Sequence, residues 1–140
     1  TISRLPSGIF DGLGELELLY IRDNAISSLQ SGLFDELTNL TLIYLDENKL
    51  TSLPLGIVDR LSKLEVFDFG FNRLTSLHPG MFANTPLLTI LRLDYNFITA
   101  LPLGIFDNLP LLTTFTIANN SFPLNASLCP LITIRKTNAF

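Results

Sequence analysis

The chain has 140 residues, which is enough for one domain, and 47% of them are hydrophobic against 16% charged. This composition predicts a folded protein and argues against intrinsic disorder. The net charge of −4 argues against nucleic-acid binding, because phosphates select surfaces rich in lysine and arginine. No apolar run reaches the roughly 18 residues of a membrane-spanning helix. We therefore expect neither a nucleic-acid partner nor membrane insertion by this segment.

The first 15 residues read as the second half of a repeating unit. Their apolar residues and glycine recur 24 positions later. Ile2, Leu5, Gly8, Phe10 and Leu13 correspond to Ile26, Leu29, Gly32, Phe34 and Leu37. We therefore interpret the chain as a fragment of a longer protein that begins within a repeat.

Five nine-residue blocks follow at a spacing of 24, and each has the pattern L-x-x-L-x-L-x-x-N with some leucines replaced by other apolar residues. The blocks read LELLYIRDN, LTLIYLDEN, LEVFDFGFN, LTILRLDYN and LTTFTIANN, and end at Asn24, Asn48, Asn72, Asn96 and Asn120. A fixed period of this length predicts stacked repeats. The apolar alternation in each block predicts a short strand, and successive strands should pair in parallel, about 4.8 Å apart.

The asparagines are expected to form a structural ladder. Each one follows a strand, where its amide can both donate to and accept from backbone groups that no strand satisfies. Replacing one of them should leave such groups unpaired.

The segments between blocks predict turns. Gly8, Gly32, Gly56, Gly80 and Gly104 recur where the backbone should take a positive φ. Phenylalanine or valine two residues later predicts an apolar spine, and the aspartate after it is suited to capping a short helical turn. Ala83 interrupts the aspartate column, and Thr85 with Pro86 replaces the apolar residue found at Leu61, so we expect irregular backbone around residues 83–86.

The segment LTSLPLGIVDRLSKLEVFDFGFNRLTSL resembles the leucine-rich repeat family in its typical 24-residue subclass. Its phrase L-P-x-G-[IV]-[FV]-D-x-L is most similar to variable lymphocyte receptors, Slit-like proteins and Toll-like receptor ectodomains. The resemblance implies a curved solenoid with a parallel β-sheet on the concave face and short turns or 3-10 segments on the convex face. It also implies an extracellular protein that binds other proteins, in innate immunity or adhesion.

This resemblance sets the expected domain organisation. Residues 1–140 should form a single leucine-rich repeat domain. Its parts are a partial first repeat over residues 1–15, regular repeats over 16–111, and a degenerate end over 112–140, where the glycine and phenylalanine columns stop. Cys129 in that end is interpreted as a buried structural cysteine, with a disulfide to sequence outside the chain or a reactive thiol as the alternatives.

Outward-facing residues of the strands and strand ends form the candidate binding surface. Such residues on a solvated sheet are usually polar, but here aliphatic and aromatic side chains predominate. An apolar and aromatic patch rimmed by charge fits a protein interface. Strand propensity alone, or a covering segment elsewhere in the protein, would also explain it. The candidate residues are Leu18, Tyr20, Arg22, Leu42, Tyr44, Asp46, Val66, Asp68, Phe71, Ile90, Arg92, Asp94 and Tyr95.

The sequence offers no catalytic or metal-binding group. His78 is the lone histidine and is expected in a convex loop, so neither a metal set nor a nucleophile–base pair can be assembled around it. The carboxylates on the strands are interspersed with Arg22 and Arg92. This mixture predicts a solvated recognition face, in preference to a calcium site or a glycosidase pair. We expect no catalysis, metal or cofactor.

The resulting hypothesis is a non-catalytic module that recognises a protein, or a glycan, through the concave sheet of an extracellular receptor or adhesion protein. The alternative is a structural spacer or dimerisation segment of a larger ectodomain, and the sequence leaves the oligomeric state open. Sequons at Asn39, Asn119 and Asn125 are glycosylation candidates and add weak support for an extracellular location.

Overall fold

The structure is a computed structural model that describes residues 1–124. Five three-residue strands form one sheet in the order β1-β2-β3-β4-β5, and every neighbouring pair is parallel. The strands are β1 (Leu18–Tyr20), β2 (Leu42–Tyr44), β3 (Val66–Asp68), β4 (Ile90–Arg92) and β5 (Thr114–Thr116). Each residue pairs with the residue 24 positions later, which confirms the predicted curved solenoid.

Each return segment between strands is a series of turns, and each turn is closed by a backbone N–H that donates to the carbonyl three residues earlier. Within residues 1–124 none of these segments is an α-helix or a 3-10 helix. Of the two expected forms of the convex face, turns and 3-10 segments, the structure therefore has turns. No helix in this described part of the chain has the length and apolar character to cross a membrane. Of the degenerate end predicted over residues 112–140, the part beyond residue 124, including Asn125 and Cys129, lies outside the described residues.

One apolar core runs along the solenoid between the sheet and the turns. The inward residues of the first four strands are buried, Phe115 of the fifth is partly buried, and the phenylalanine spine packs against them from the convex side. Phe67 illustrates this packing: its ring stacks on Phe69 at 4.0 Å between centroids and meets Phe82 edge-on at 5.4 Å. Because each repeat buries its apolar side against the next, the core needs no disulfide.

The asparagine ladder forms as predicted. Asn72 Nδ2 donates to the carbonyls of Leu45, Phe69 and Gly70 at 3.0–3.2 Å, and its Oδ1 accepts from the Leu50 N–H at 3.0 Å. Asn48 and Asn96 make the same set of contacts and are likewise buried. Asn24 and Asn120, at the two ends of the column, are half-buried. Each rung therefore joins its own turn to the preceding repeat.

The glycine column confirms the expected positive φ, with values of 72–75° from Gly8 to Gly104. The aspartates that follow cap no helix. Instead, the Asp107 carboxylate folds back over the glycine of its own turn, so that a Cβ on Gly104 would lie only 2.8 Å from Asp107 Oδ2.

The expectation of irregular backbone around residues 83–86 is wrong. Thr85 N–H donates to the Phe82 carbonyl and Leu88 N–H to the Thr85 carbonyl, at 3.4 and 3.2 Å. The regular repeat has the same two bonds around Leu61, both at 3.0 Å. Thr85 fits the buried leucine position because its hydroxyl donates to the Phe82 carbonyl at 3.3 Å, which satisfies the polar atom that burial would otherwise strand.

Candidate binding surface on the concave sheet

Two tyrosines, one exposed and one partly buried, form a flat platform on the first two strands. Tyr20 pairs in register with Tyr44, and their rings stack at 4.9 Å between centroids with an interplanar angle of 4°. Parallel strands place equivalent side chains about one strand spacing apart, which is the distance of ring stacking. Tyr20 is 58% exposed and Leu18 beside it is also exposed. This end of the sheet thus presents apolar surface to solvent.

Three of the expected binding residues are not exposed. Val66 and Asp68 are each 7% exposed and Asp46 is 5% exposed, so the expectation that they face solvent freely is wrong. Val66 lies on the central strand, between Leu42 and Ile90 in register, and these half-buried neighbours cover it. The aliphatic candidates at this strand position are Leu18, Leu42, Val66 and Ile90, and of these only Leu18 is exposed, at 46%. Asp46 and Asp68 are covered by arginine side chains.

Each buried aspartate pairs with an arginine from a neighbouring repeat. Arg22 Nη2 lies 2.9 Å from Asp46 Oδ2 and 3.5 Å from Glu47 Oε1, and Arg92 Nη1 lies 3.2 Å from Asp68 Oδ2. Both guanidinium groups remain substantially exposed, whereas the aspartate side chains are more than nine-tenths buried. The arginines therefore lie on the solvent side of the carboxylates.

The second carboxylate oxygens differ in what they bind. Asp68 Oδ1 accepts from the Gly70 N–H at 3.1 Å, and Asp94 Oδ1 accepts from the Ala118 N–H at 2.8 Å. By repeat equivalence, Asp46 Oδ1 would accept from Gly70, but that N–H already donates to Asp68 Oδ1. Asp46 Oδ1 is accordingly buried without a hydrogen-bond partner among residues 1–124. Burial, followed by the charge of Asp68, raises the pKa of Asp46, and Arg22 only partly opposes this.

A second aromatic pair lies just past the strands. The rings of Phe71 and Tyr95 stack at 4.2 Å with an interplanar angle of 11°, and the two residues are 51% and 49% exposed. Both have left-handed backbone, with φ of 53° and 55°. Bulky residues are rare in this conformation, which usually selects glycine, asparagine or aspartate.

The sequence pattern did not predict this column of left-handed residues. All five residues before the ladder asparagines adopt φ of 53–57°. The column consists of Asp23, Glu47, Phe71, Tyr95 and Asn119. Asp23 and Asn119 were the available signal, since both types tolerate the left-handed region, and no β-branched residue occurs in the column.

The structure also shows the surroundings of the candidate metal-binding and glycosylation residues His78, Asn39 and Asn119. Among residues 1–124, no group of three or more histidine, cysteine, aspartate or glutamate side chains is placed to hold a metal ion. His78 is exposed on a return turn, with Nε2 3.1 Å from the Leu53 carbonyl. Asn39 is half-buried and donates to the Gly14 carbonyl, while Asn119 is exposed. Glycosylation at Asn39 and Asn119 stays a prediction.

Comparison with known proteins decides the family. A family model described as Leucine rich repeat matches residues 1–50 and 38–96, more than half of the chain. The chain belongs to the leucine-rich repeat family. This family is in general a protein-binding fold without enzymatic activity, so the chain is assigned to protein-interaction modules.

Two solved structures are similar to this leucine-rich repeat chain. The leucine-rich repeat domain of APL1B is 29% identical with a TM-score of 0.80, and the match covers 85% of this chain and 35% of that one. The LRIM1/APL1C complex is 29% identical with a TM-score of 0.76, covering 81% of this chain and 21% of that one. The chain thus spans about a third or less of the length of these structures. A comparison with curated protein sequences gave no match.

Proposed function

We propose that residues 1–140 form one leucine-rich repeat domain of a longer extracellular receptor or adhesion protein, and that this domain binds a protein ligand through its concave sheet without catalysis. The observation that carries this proposal is the presence of two stacked aromatic pairs, Tyr20–Tyr44 and Phe71–Tyr95, in which three of the four residues are exposed, beside partly exposed arginines. Tyrosine and arginine are the residue types that most often anchor protein interfaces.

Strand propensity does not account for the second pair. It could explain Tyr20 and Tyr44, which lie in strands. Phe71 and Tyr95 lie outside the strands, at left-handed positions that disfavour bulky side chains. Residues held in a costly backbone conformation are often found where the side chain serves function. The exposure of these two rings supports the same interpretation.

The similar structures support a protein partner over a glycan. One of them is a complex of two proteins, LRIM1 and APL1C. A flat aromatic surface also stacks on sugars, so a glycan ligand is the alternative that an experiment must separate.

The test uses the full-length parent protein and a panel of purified extracellular proteins and glycans. For each partner found, calorimetry compares the parent with two double variants, Tyr20→Ala/Tyr44→Ala and Phe71→Ala/Tyr95→Ala. We expect each to weaken binding at least about tenfold, since truncating an aromatic hot spot costs about 2 kcal/mol or more and about 1.4 kcal/mol corresponds to a factor of ten.

A matched control removes exposed apolar side chains from the return turns, in Leu55→Ala/Leu103→Ala. This variant should bind normally. If it abolishes binding and the aromatic variants do not, the ligand occupies the convex side and the proposal is wrong. If no partner is found and light scattering shows that the parent self-associates, with unchanged behaviour in both aromatic variants, the spacer or dimerisation alternative is favoured.

A further inference from the structure

The negative charge of the chain is concentrated on the sheet. The five segments that contain the strands and their ends, residues 17–23, 41–47, 65–71, 89–95 and 113–119, hold seven acidic residues and two arginines, a net charge of 2 − 7 = −5. The whole chain has 9 − 13 = −4, so the other 105 residues carry +1. The acidic residues are Glu17, Asp23, Asp46, Glu47, Glu65, Asp68 and Asp94.

The sheet charges are only partly compensated within the described residues. The three contacts between opposite charges all involve Arg22 or Arg92, and Glu17, Asp23 and Glu65 take part in none of them. These three carboxylates are exposed. Asp46 adds a buried oxygen without a hydrogen-bond partner. The concave surface therefore has unused capacity for positive charge.

We propose that the concave surface binds a basic segment of its protein partner, and that an arginine or lysine of that segment is seated between the two aromatic pairs. This inference rests on the proposed function and adds the chemistry of the ligand. Tyr44 pairs in register with Asp68, Asp46 follows Tyr44 by two residues, and Phe71 follows Asp68 by three. The carboxylates thus lie diagonally between the Tyr20–Tyr44 platform and the Phe71–Tyr95 platform.

The two kinds of group that bind an organic cation, aromatic rings and carboxylates, are both present between the two aromatic pairs. The faces of aromatic rings attract ammonium and guanidinium groups, and a carboxylate gives guanidinium two parallel hydrogen bonds. Arg22 already lies against Asp46, which shows that this position accepts a guanidinium. Its side chain is 56% exposed. A partner's arginine can therefore take the place of Arg22 at Asp46 Oδ2.

The charge also separates this ligand from others. A phosphate-bearing or acidic ligand would meet a net repulsive face. A neutral glycan would use the aromatic rings but would be indifferent to the carboxylates. The last strand, β5 (Thr114–Thr116), has neither charge nor exposed aromatic residues, so the basic segment is placed over β1 to β4.

The experiment titrates the full chain with three model peptides, Arg-Gly-Arg-Gly-Arg, the same peptide with glutamate for arginine, and the same with serine, and with the neutral oligosaccharide chitotetraose. Binding is followed by NMR chemical-shift changes and calorimetry. We expect only the arginine peptide to bind, with shifts at Tyr44, Asp46, Asp68 and Phe71. Raising NaCl from about 0.02 to 0.5 M should weaken it about fivefold or more, because salt screens exposed charges.

The variant Asp46→Asn/Asp68→Asn should weaken arginine-peptide binding about fivefold or more, because it removes both central charges and keeps their shape. Asp35→Asn/Asp59→Asn changes two exposed carboxylates on the return turns and should leave binding unchanged. Urea denaturation of each variant confirms that it is folded.

The inference is overturned if the arginine peptide does not bind, if chitotetraose or the glutamate peptide binds instead, or if both pairs of variants have equal effects. Its failure is distinct from that of the proposed function. A natural partner whose affinity depends on the aromatic pairs but not on Asp46 and Asp68 would refute the basic segment alone. A partner indifferent to both sets of residues would refute the concave surface itself.

Discussion

Replacing Asn72 with alanine tests how the ladder stabilises the solenoid, because the structure shows which groups lose their partners. The three carbonyls that Asn72 Nδ2 contacts each keep another donor. Leu45 O keeps Asn48 Nδ2, Phe69 O keeps Asn96 Nδ2, and Gly70 O keeps the Glu47 N–H. The Leu50 N–H has no such substitute, since Asn72 Oδ1 is its one acceptor among the described residues.

The expected cost follows from this one group. Leu50 is fully buried, so water does not replace the lost acceptor. A buried donor left unpaired costs about 1–3 kcal/mol. Asn72→Ala should therefore lower the free energy of unfolding by about this amount, with the carbonyls adding little.

Asn24→Ala is the matched control at the end of the same column. Asn24 Oδ1 accepts from the N–H of Ile2, which is exposed, so water can replace the lost acceptor. Its cost should stay below about 1 kcal/mol, the usual net value of an intramolecular hydrogen bond. Urea denaturation followed by far-UV circular dichroism measures both variants. Equal losses for the two substitutions, or a negligible loss for Asn72→Ala, would refute the reasoning that the orphaned Leu50 N–H dominates.

Three further predictions concern backbone strain and burial. In urea denaturation, Gly104→Ala should be more destabilising than Gly80→Ala. A Cβ at residue 104 would meet the Asp107 side chain, whereas a Cβ at residue 80 would meet nothing within 4 Å. The difference in stability between the two variants should disappear in an Asp107→Ala background. Phe71→Gly should be more stable than Phe71→Ala by about 0.5–1 kcal/mol, because left-handed backbone penalises any Cβ; the usual order, alanine above glycine, would contradict this. Asp46→Asn should raise the urea midpoint at pH 7. Folding raises the pKa of Asp46, so the folded protein with Asp46 loses stability as the pH rises and the carboxyl ionises. The advantage should vanish below the ordinary pKa of 3.8, and a lower midpoint at pH 7 would refute it.

The scaffold could be predicted because each repeat imposes the same geometry on the next. A strand at Phe67 requires equivalent strands at Ile43 and Leu91, and a buried Asn72 requires turns in which its amide finds backbone partners. The glycine at residue 56 likewise implies a positive φ that the equivalent glycines share. The same residue type at five equivalent positions supports one structural assignment even where a single repeat is ambiguous. For this reason the predicted strands and asparagine ladder are confirmed.

The candidate surface was harder to predict because exposure depends on neighbours in adjacent repeats. Alternation places Val66 and Asp68 on the outward side of a strand, but it cannot show that Arg92 lies over Asp68. The left-handed backbone of Phe71 could not be predicted for a different reason, because phenylalanine rarely adopts this conformation. Here the turn that closes onto Asn72 overrides the preference of the residue before it.

The chain has three tyrosines and no tryptophan. All three tyrosines belong to the stacked aromatic pairs of the concave surface, at Tyr20, Tyr44 and Tyr95. Tyrosine fluorescence from this chain therefore arises from that surface and not from the interior, where the buried aromatic residues are phenylalanines, and no indole quenches it by energy transfer. When a second molecule that contains no tryptophan or tyrosine is added, a change in emission would report an altered environment of these rings. The chain thus carries its own optical probe, which needs neither a dye nor a substitution.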